Sequence, residues 1–380
     1  MRNFFKVFII IFNITLALYL LFDFLFGNKI LKMSLLNDRE NFETQYRVNH
    51  KIFHHSLKEN FNGVGWWHKK YQICTDEMGF KVSCAVQKES NNKIEKDKFI
   101  NNSVKKNYFD IVFIGDSMTE GVGLSYEDSF VGKISAVLDD KKIANLGVAG
   151  YSTSNYLSKI NFFIDKIEFK ELIVFMDPSD VYDERITYFT KTKKFNYIVI
   201  NSLDNKYLHF IKDKIEIFPI LKFSLIKIRR FFLKIEYVNN IELKDYLSKD
   251  FNITEWTFEG RNFSQKQKVP YEPLILKSIQ NMDLLYNILK SKNISLSIAV
   301  YPHPAQIYNN NLLSKNEKTW EDFCKKKCKK FYNLSHGFEY VDIENAKKII
   351  NEYYIIGDVH FNEKGSLLIA KSFLNLYNKK

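Results

Sequence analysis

Several signatures are missing from this sequence, and each absence closes off a class of function. No zinc-finger spacing, RNA-binding signature or basic helix with base-reading residues occurs, so nucleic acid is not an expected partner. The net charge is +12, but the lysines are scattered among acids through every segment. That distribution reads as a solvated surface, with anionic lipid headgroups or an acidic polymer as the sharper alternative. Cysteine is scarce, with 4 in 380 residues, and they fall as two close pairs. Neither Cys74/Cys84 nor Cys324/Cys328 has C-x-x-C spacing, and a zinc site wants about four ligands, so zinc is not expected. Apolar residues are not scarce: at 46% the chain can build a sizeable core and is no disordered polymer.

The first feature present is an apolar run over 7–26, VFIIIFNITLALYLLFDFLF, interrupted only by Asn13 and Asp23. About twenty such residues in a helix span a bilayer's hydrocarbon core. Arg2 and Lys6 precede the run and favour a cytoplasmic N-terminus, although Lys29 and Lys32 follow it. No A-x-A site follows, and the run is long for a signal-peptide core. The expectation is an uncleaved signal anchor over 1–27 with the rest of the chain on the extracytoplasmic side; a cleaved signal peptide is the alternative. Export would make Cys74–Cys84 a credible disulfide. Cys324 and Cys328 need favourable Cβ geometry to bridge across one helical turn.

Residues 28–107 read as an extension and linker. The extension carries His54-His55, Gly63, Gly65 and Trp66-Trp67. Adjacent histidines point in different directions on a helix or a strand, a weak metal signal. The tryptophans suit core packing, or a sugar-stacking surface. The segment is expected to fold onto the main domain, with the cysteine-bounded loop as a clip. The stretch 85–107 is polar enough to be an exposed linker.

From 108 to the C-terminus the pattern becomes strand–helix–strand. Strands are predicted at 110–114, 142–146, 171–176, 294–301 and 339–343, and helices at 126–138, 156–167 and 274–290. Apolar strands alternating with amphipathic helices imply an α/β fold with a parallel sheet covered on both faces. Its ligand sites are expected beyond the carboxyl ends of the strands. The pattern lapses over 185–269, read as an insertion. Within it, 206–236 is basic and apolar, suited to a membrane-surface helix or a lid, or to an ordinary helical excursion packed on the core.

Four motifs follow the predicted strands or lie near the C-terminus. Gly115-Asp116-Ser117 ends the first strand, where a helix N-terminus offers N–H groups and partial positive charge to an oxyanion. Asn145-Leu146-Gly147-Val148-Ala149-Gly150 follows the second strand, Asp177-Pro178-Ser179-Asp180 the third, and Asp358-Val359-His360 lies near the tail. In an extended loop positions two apart share a side, so Asp358 can orient or charge-balance His360. Asp177, Asp180, Asp183 and Glu184 invite a metal reading, but such acids are more often solvated or capping, and no metal or cofactor is expected. Tyr301-Pro302-His303-Pro304 follows the fourth strand, with His303 a candidate to line the substrate cleft or a structural loop histidine.

This combination, GDSMTEG with DVHFNEKG, resembles the SGNH/GDSL hydrolase family over 108–380 apart from the insertion. The resemblance implies a three-layer α/β/α, flavodoxin-like sandwich. It implies Ser117 as nucleophile, His360 as general base and Asp358 as the acid that holds the imidazole. The oxyanion hole would use the N–H of Ser117 and of Gly150. Ser179 stands where the family's third block usually has an oxyanion Asn, and Asp177 where it has Gly. The D-x-H spacing is shorter than the frequent D-x-x-H and also occurs in polysaccharide O-acetylation relatives. His303 and Asp180 are the expected substrate contacts. The implied function is an anchored, exported serine esterase or acyltransferase acting on O-acyl groups, notably acetyl, of a surface glycan, with an acyl-donor partner protein left open. A non-catalytic glycan-binding or assembly module and a lipid-directed esterase are the alternatives.

Overall fold

The computed structural model describes residues 2–34, 39–67, 69–85, 87, 106–181, 183–184, 218, 220–221, 224, 271–308, 310, 312–339, 342–356 and 358–379. The chain divides into two compact units, Met1–Phe42 with Tyr197–Glu242 and Glu43–Asn196 with Leu243–Lys380.

In the first unit a helix runs over Arg2–Ser34. Its stretch Phe4–Gly27 has a mean hydropathy of 2.3 and is long and apolar enough to cross a membrane, as an anchor or a signal sequence. The polar interruptions are satisfied locally. Asn13 donates to the Ile9 carbonyl and Thr15 to that of Ile11, each one turn back. Asp23 is buried and accepts from the backbone N–H groups of Ile220 and Leu221, each at 2.7 Å. The rest of 206–236, the linker over 88–105 and almost all of the insertion lie outside the described residues.

Ten strands fall among the described residues of the second unit. Five short ones come first: β1 (Arg47–His50), β2 (His54–Leu57), β3 (Asn62–Trp67), β4 (Lys69–Thr75) and β5 (Lys81–Val82). β1–β2 and β3–β4–β5 pair antiparallel as two small sheets. The parallel strands follow: β6 (Asn107–Gly115), β7 (Ile143–Asn145), β8 (Ile167–Met176), β9 (Ser295–Val300) and β10 (Lys330–Asn333). They lie in the order β10-β9-β8-β6-β7, all parallel. Numbered among themselves this is 2-1-3-4-5, the flavodoxin-like order, with its switch point between β6 and β8.

The strands' period of two builds the layers. Ile111 and Phe113 of β6 and Ile173 and Phe175 of β8 pack with Phe130, Ile134, Ile369 and Phe373 on one face. The helices there are Phe130–Val137, Ile343–Tyr353 and Glu363–Asn378. Val112 and Ile114, with Leu172 and Val174, point the other way onto Tyr156, Ile160, Met282 and Leu285 of the helices Thr153–Phe163 and Tyr271–Ser291. Pro273 sits in the first turn of the latter, where a missing N–H costs nothing. The result is the three-layer α/β/α sandwich. Tyr46, Phe53, Leu57, Tyr71, Ile73 and Phe80 of the extension join that second face's core, so the extension is part of this unit's core.

The fifth parallel strand differs from the expectation of 339–343. It is Lys330–Asn333, while Asp342 caps a helix that opens at Ile343. Both cysteine pairs, Cys74–Cys84 and Cys324–Cys328, are disulfide-bonded.

Candidate active site

Ser117 opens a four-residue helix, Ser117–Glu120, directly after β6. Asp116 caps it by accepting from Met118 N at 3.0 Å. The turn is tight because residue 115 is glycine: a Cβ there would stand 2.1 Å from Thr119 Oγ1 and 2.9 Å from the Phe175 carbonyl. The first N–H groups of the helix, that of Ser117 included, have no intrahelical acceptor.

The second-block loop is sewn to this helix. Asn145 Nδ2 donates to the Thr119 carbonyl at 2.8 Å, Gly147 N to Asn145 Oδ1 at 2.9 Å, and Ala149 N to Glu120 Oε2 at 2.7 Å. Gly147 permits the approach, since a Cβ there would lie 2.5 Å from Glu120 N. One residue beyond Ala149 stands Gly150, exposed, with φ +76°.

Glu120 is buried and receives both terminal nitrogens of Arg47, each at 2.8 Å, as a bidentate pair. Burial alone would raise its carboxyl, but Arg47 outweighs it and holds it below the usual range. The buried ammonium of Lys81 donates to the carbonyls of Gly121 and Leu124 at 2.9 and 2.8 Å. His55 Nε2 lies 2.8 Å from the Ala149 carbonyl, and the Tyr151 hydroxyl donates to the His55 carbonyl. The extension thus grips both loops that flank Ser117.

Asp358 and His360 form a buried pair, with His360 Nδ1 2.7 Å from Asp358 Oδ1. The backbone closes the loop that holds them: Ile355 N donates to the His360 carbonyl at 2.9 Å, and Tyr354 and Phe361 form a bridge. With its proton on the Nδ1 that faces the carboxylate, the ring presents Nε2 as a lone pair. That Nε2 is buried and has no hydrogen-bond partner among the described residues. The Ser117 hydroxyl, half-buried, donates to Asp116 Oδ2 at 3.0 Å. The carboxyl of Asp116 is pushed up to about 7 by burial and by the neighbouring Asp177 charge, with His360 and His303 acting against them.

His303, a candidate cleft residue or a structural loop histidine, and Asp180, the other expected substrate contact, are each 1% exposed. His303 Nε2 lies 2.7 Å from Asp177 Oδ2, and Asp180 accepts from Tyr156 OH at 2.9 Å and from Asp177 N at 3.0 Å. β8 and β9 end side by side, Met176 opposite Val300, which brings the segments holding Asp177 and His303 together. Ser179, also half-buried, donates its N–H to Asp177 Oδ1 at 2.7 Å, and its hydroxyl bonds to the carboxyls of Asp177 and Asp183. No group of His, Cys, Asp or Glu among the described residues is arranged to hold a metal ion.

One member of the site was not singled out for it by the sequence. Trp67, from β3, donates its indole N–H to Asp358 Oδ2 at 2.5 Å and packs edge-on to the His360 ring with centroids 5.0 Å apart. No local pattern announces a contact across 291 positions. A cleft of about 470 Å³ opens beside Trp67, lined also by Lys69, Gly123, Ile355 and Glu363.

No protein-family model matches the chain, and no curated protein matches its sequence. Among solved structures it is similar to a member of the lipolytic G-D-S-L family from Veillonella parvula DSM 2008, at 13% identity and TM-score 0.39 over 71% of this chain and 99% of that one. It is also similar to the psychrotrophic esterase EstA from Pseudoalteromonas sp., at 11% identity and TM-score 0.38 over 72% and 98% of the two chains. A catalytic mutant of the acetylxylan esterase Axe2 from Geobacillus stearothermophilus matches at 9% identity and TM-score 0.38 over 73% and 98%. At such values the likeness transfers no chemistry, and the functional reading has to stand on the residues themselves.

Proposed function

We propose that this chain is a serine esterase or acyltransferase that works through an acyl-Ser117 intermediate. The observation that carries the reading is the buried Asp358–His360 pair with its unpartnered Nε2. A lone pair with no acceptor role in the resting fold is a base waiting for a proton.

In the reaction Ser117 Oγ leaves Asp116 Oδ2, its partner in the resting fold, and turns to His360 Nε2. It attacks the acyl carbonyl as Nε2 takes its proton. Asp358 holds the ring and balances the imidazolium. The N–H groups of Ser117 and Gly150 receive the oxyanion. The tetrahedral species collapses, the bond from carbonyl carbon to the leaving alkoxide breaks, and His360 returns its proton to that oxygen. Water or a sugar hydroxyl then repeats the sequence on the acyl-enzyme. Ser179 is a weak third donor, because its hydroxyl is engaged with carboxylates. Losing one such donor typically costs about 10²–10³-fold in turnover.

The substrate we assign is an O-acyl, notably O-acetyl, group on a surface glycan. The N-terminal apolar helix supports attachment to a membrane with this unit on the extracytoplasmic side, and the two disulfides suit an oxidising compartment. The cleft beside Trp67 is lined by none of Ser117, Gly150 and His360 and adjoins the Asp358–His360 pair through Trp67. Its lysines are offset by acids, with Lys69 2.7 Å from Glu363, a balance that suits contact with a neutral, hydroxyl-rich ring beyond the acyl group. Transfer needs an acyl donor, which a partner protein could deliver.

The test is intact-mass analysis with a serine-reactive phosphonate and with acetyl donors, with and without an oligosaccharide acceptor. Wild type should gain one adduct at Ser117 and Ser117→Ala none. Equal labelling of both removes the nucleophile, and sugar binding without any adduct leaves a glycan-binding module.

A further inference from the structure

The parallel sheet supplies Ser117, and the C-terminal loop supplies Asp358 and His360. Neither explains what orients the outer oxygen of Asp358. Its inner oxygen, Oδ1, is fixed locally by Val359 N at 2.6 Å, His360 N at 3.3 Å and His360 Nδ1 at 2.7 Å. Oδ2 points away from that turn and accepts the Trp67 indole N–H.

Trp67 is itself held in place. It ends β3 opposite Lys69 of β4, and Lys69 pairs with Glu363, the first residue of the C-terminal helix. Residue 123 is glycine where a Cβ would stand 3.1 Å from Ile355 Cδ1 and 3.4 Å from Trp67 Cδ1. The loop after the nucleophile helix therefore packs against the indole, and the same indole packs on the imidazole.

We propose that Trp67, contributed by the N-terminal extension, is a positioning residue for the Asp358–His360 pair: its N–H fixes the carboxylate from outside and its ring limits the imidazole. The proposal rests on the reading of Ser117 and His360 as nucleophile and base. It makes the extension a working part of the site. An indole N–H can only donate, so it selects the ionised, acceptor form of the carboxylate. It also draws charge away from His360. Removing the donor leaves more negative charge on Asp358 for the imidazolium, so the ring's affinity for a proton rises. The base must be neutral to act, so the acid limb of the rate profile moves to higher pH.

The experiment uses the full chain in detergent, as wild type and Trp67→Phe, which keeps a ring and loses the donor. The readouts are the pH dependence of phosphonate labelling at Ser117 and proton NMR of the His360 Nδ1–H and the Trp67 indole N–H. Expected are a labelling rate about tenfold lower in Trp67→Phe, as for the loss of a hydrogen bond to a charged group, an acid limb shifted upward, and a displaced Nδ1–H signal. Unchanged rate, limb and signal in a folded Trp67→Phe overturn the proposal. Should Trp67→Phe not fold, the wild type decides alone. Its Trp67 indole proton should lie downfield and move with the midpoint of the His360 titration, and an ordinary indole signal blind to that titration overturns the proposal. Absence of labelling in the wild type would instead count against the serine reading, while the two NMR signals would still report on Trp67.

Discussion

His303 Nε2 stands 2.7 Å from Asp177 Oδ2, and both side chains are sealed from solvent directly behind the ends of β8 and β9. This second imidazole–carboxylate pair lies within electrostatic reach of Asp116, the residue that accepts the Ser117 hydroxyl. Burial alone would lower the His303 imidazole, but Asp177 outweighs it and raises it; burial alone would raise Asp177, but His303 outweighs it and lowers it.

Breaking that pair should be costly. His303→Gln leaves the Asp177 charge without its cation beside Asp116. We expect a loss of about 3–5 kcal/mol in urea-unfolding free energy, the usual consequence of stranding a buried charge. A loss under about 1 kcal/mol would show that solvent reaches Asp177.

The same cluster predicts a pH dependence of stability. The Asp116 carboxyl is raised from 3.8 to about 7 in the folded chain, so the native state holds a proton that the unfolded state has released. Its stabilising contribution is complete below about pH 4 and is lost as pH rises through about 7. His303, raised from 6.5, adds a loss of the same sign above neutrality. Asp177, lowered from 3.8, acts oppositely, and its contribution fades as pH falls through its folded value. Asp116→Asn should flatten the decline between about pH 4 and 7 in unfolding curves measured at one-unit steps. An unchanged slope in the variant would contradict the assignment.

Arg47 anchors the extension to the nucleophile helix through Glu120, and Glu120 in turn holds Ala149 N next to Gly150. Arg47→Met removes a fully desolvated partner. We expect about 3–5 kcal/mol of destabilisation, and faster hydrogen exchange at the amides of Ala149 and Gly150. Protection at those amides equal to wild type would mean the loop is held without Glu120.

The Cys74–Cys84 disulfide closes a short loop with a sequence separation of 10 around Gly79, whose φ is +75°. Replacing both cysteines by serine should cost about 2–4 kcal/mol, read as a lower unfolding midpoint. Because β4 carries Cys74 and pairs with β3, the loss should also loosen Trp67. A double variant with the wild-type midpoint would show that the hairpin stands without its clip.

Much of this protein was legible in the sequence because its signals are local. The unbroken apolar runs over 111–114 and 172–176, set between amphipathic helices, determined that the sheet would be buried on both faces. Gly115-Asp116-Ser117 determined a tight strand-to-helix turn, and the Asp358-x-His360 spacing determined a paired imidazole. Short runs were less informative: 339–343 carries the β-formers Tyr340, Val341 and Ile343, yet Asp342 caps a helix there, and the edge strand Lys330–Asn333 is too short and lysine-flanked to announce itself. Only the tertiary structure could decide that Trp67 meets Asp358, that His303 turns inward to Asp177, and that Arg47 fixes the loop before Gly150. Each of these joins residues far apart in the chain. Such partners are selected by burial and by the need to satisfy charge and hydrogen bonds there, and that need exists only once the layers have closed.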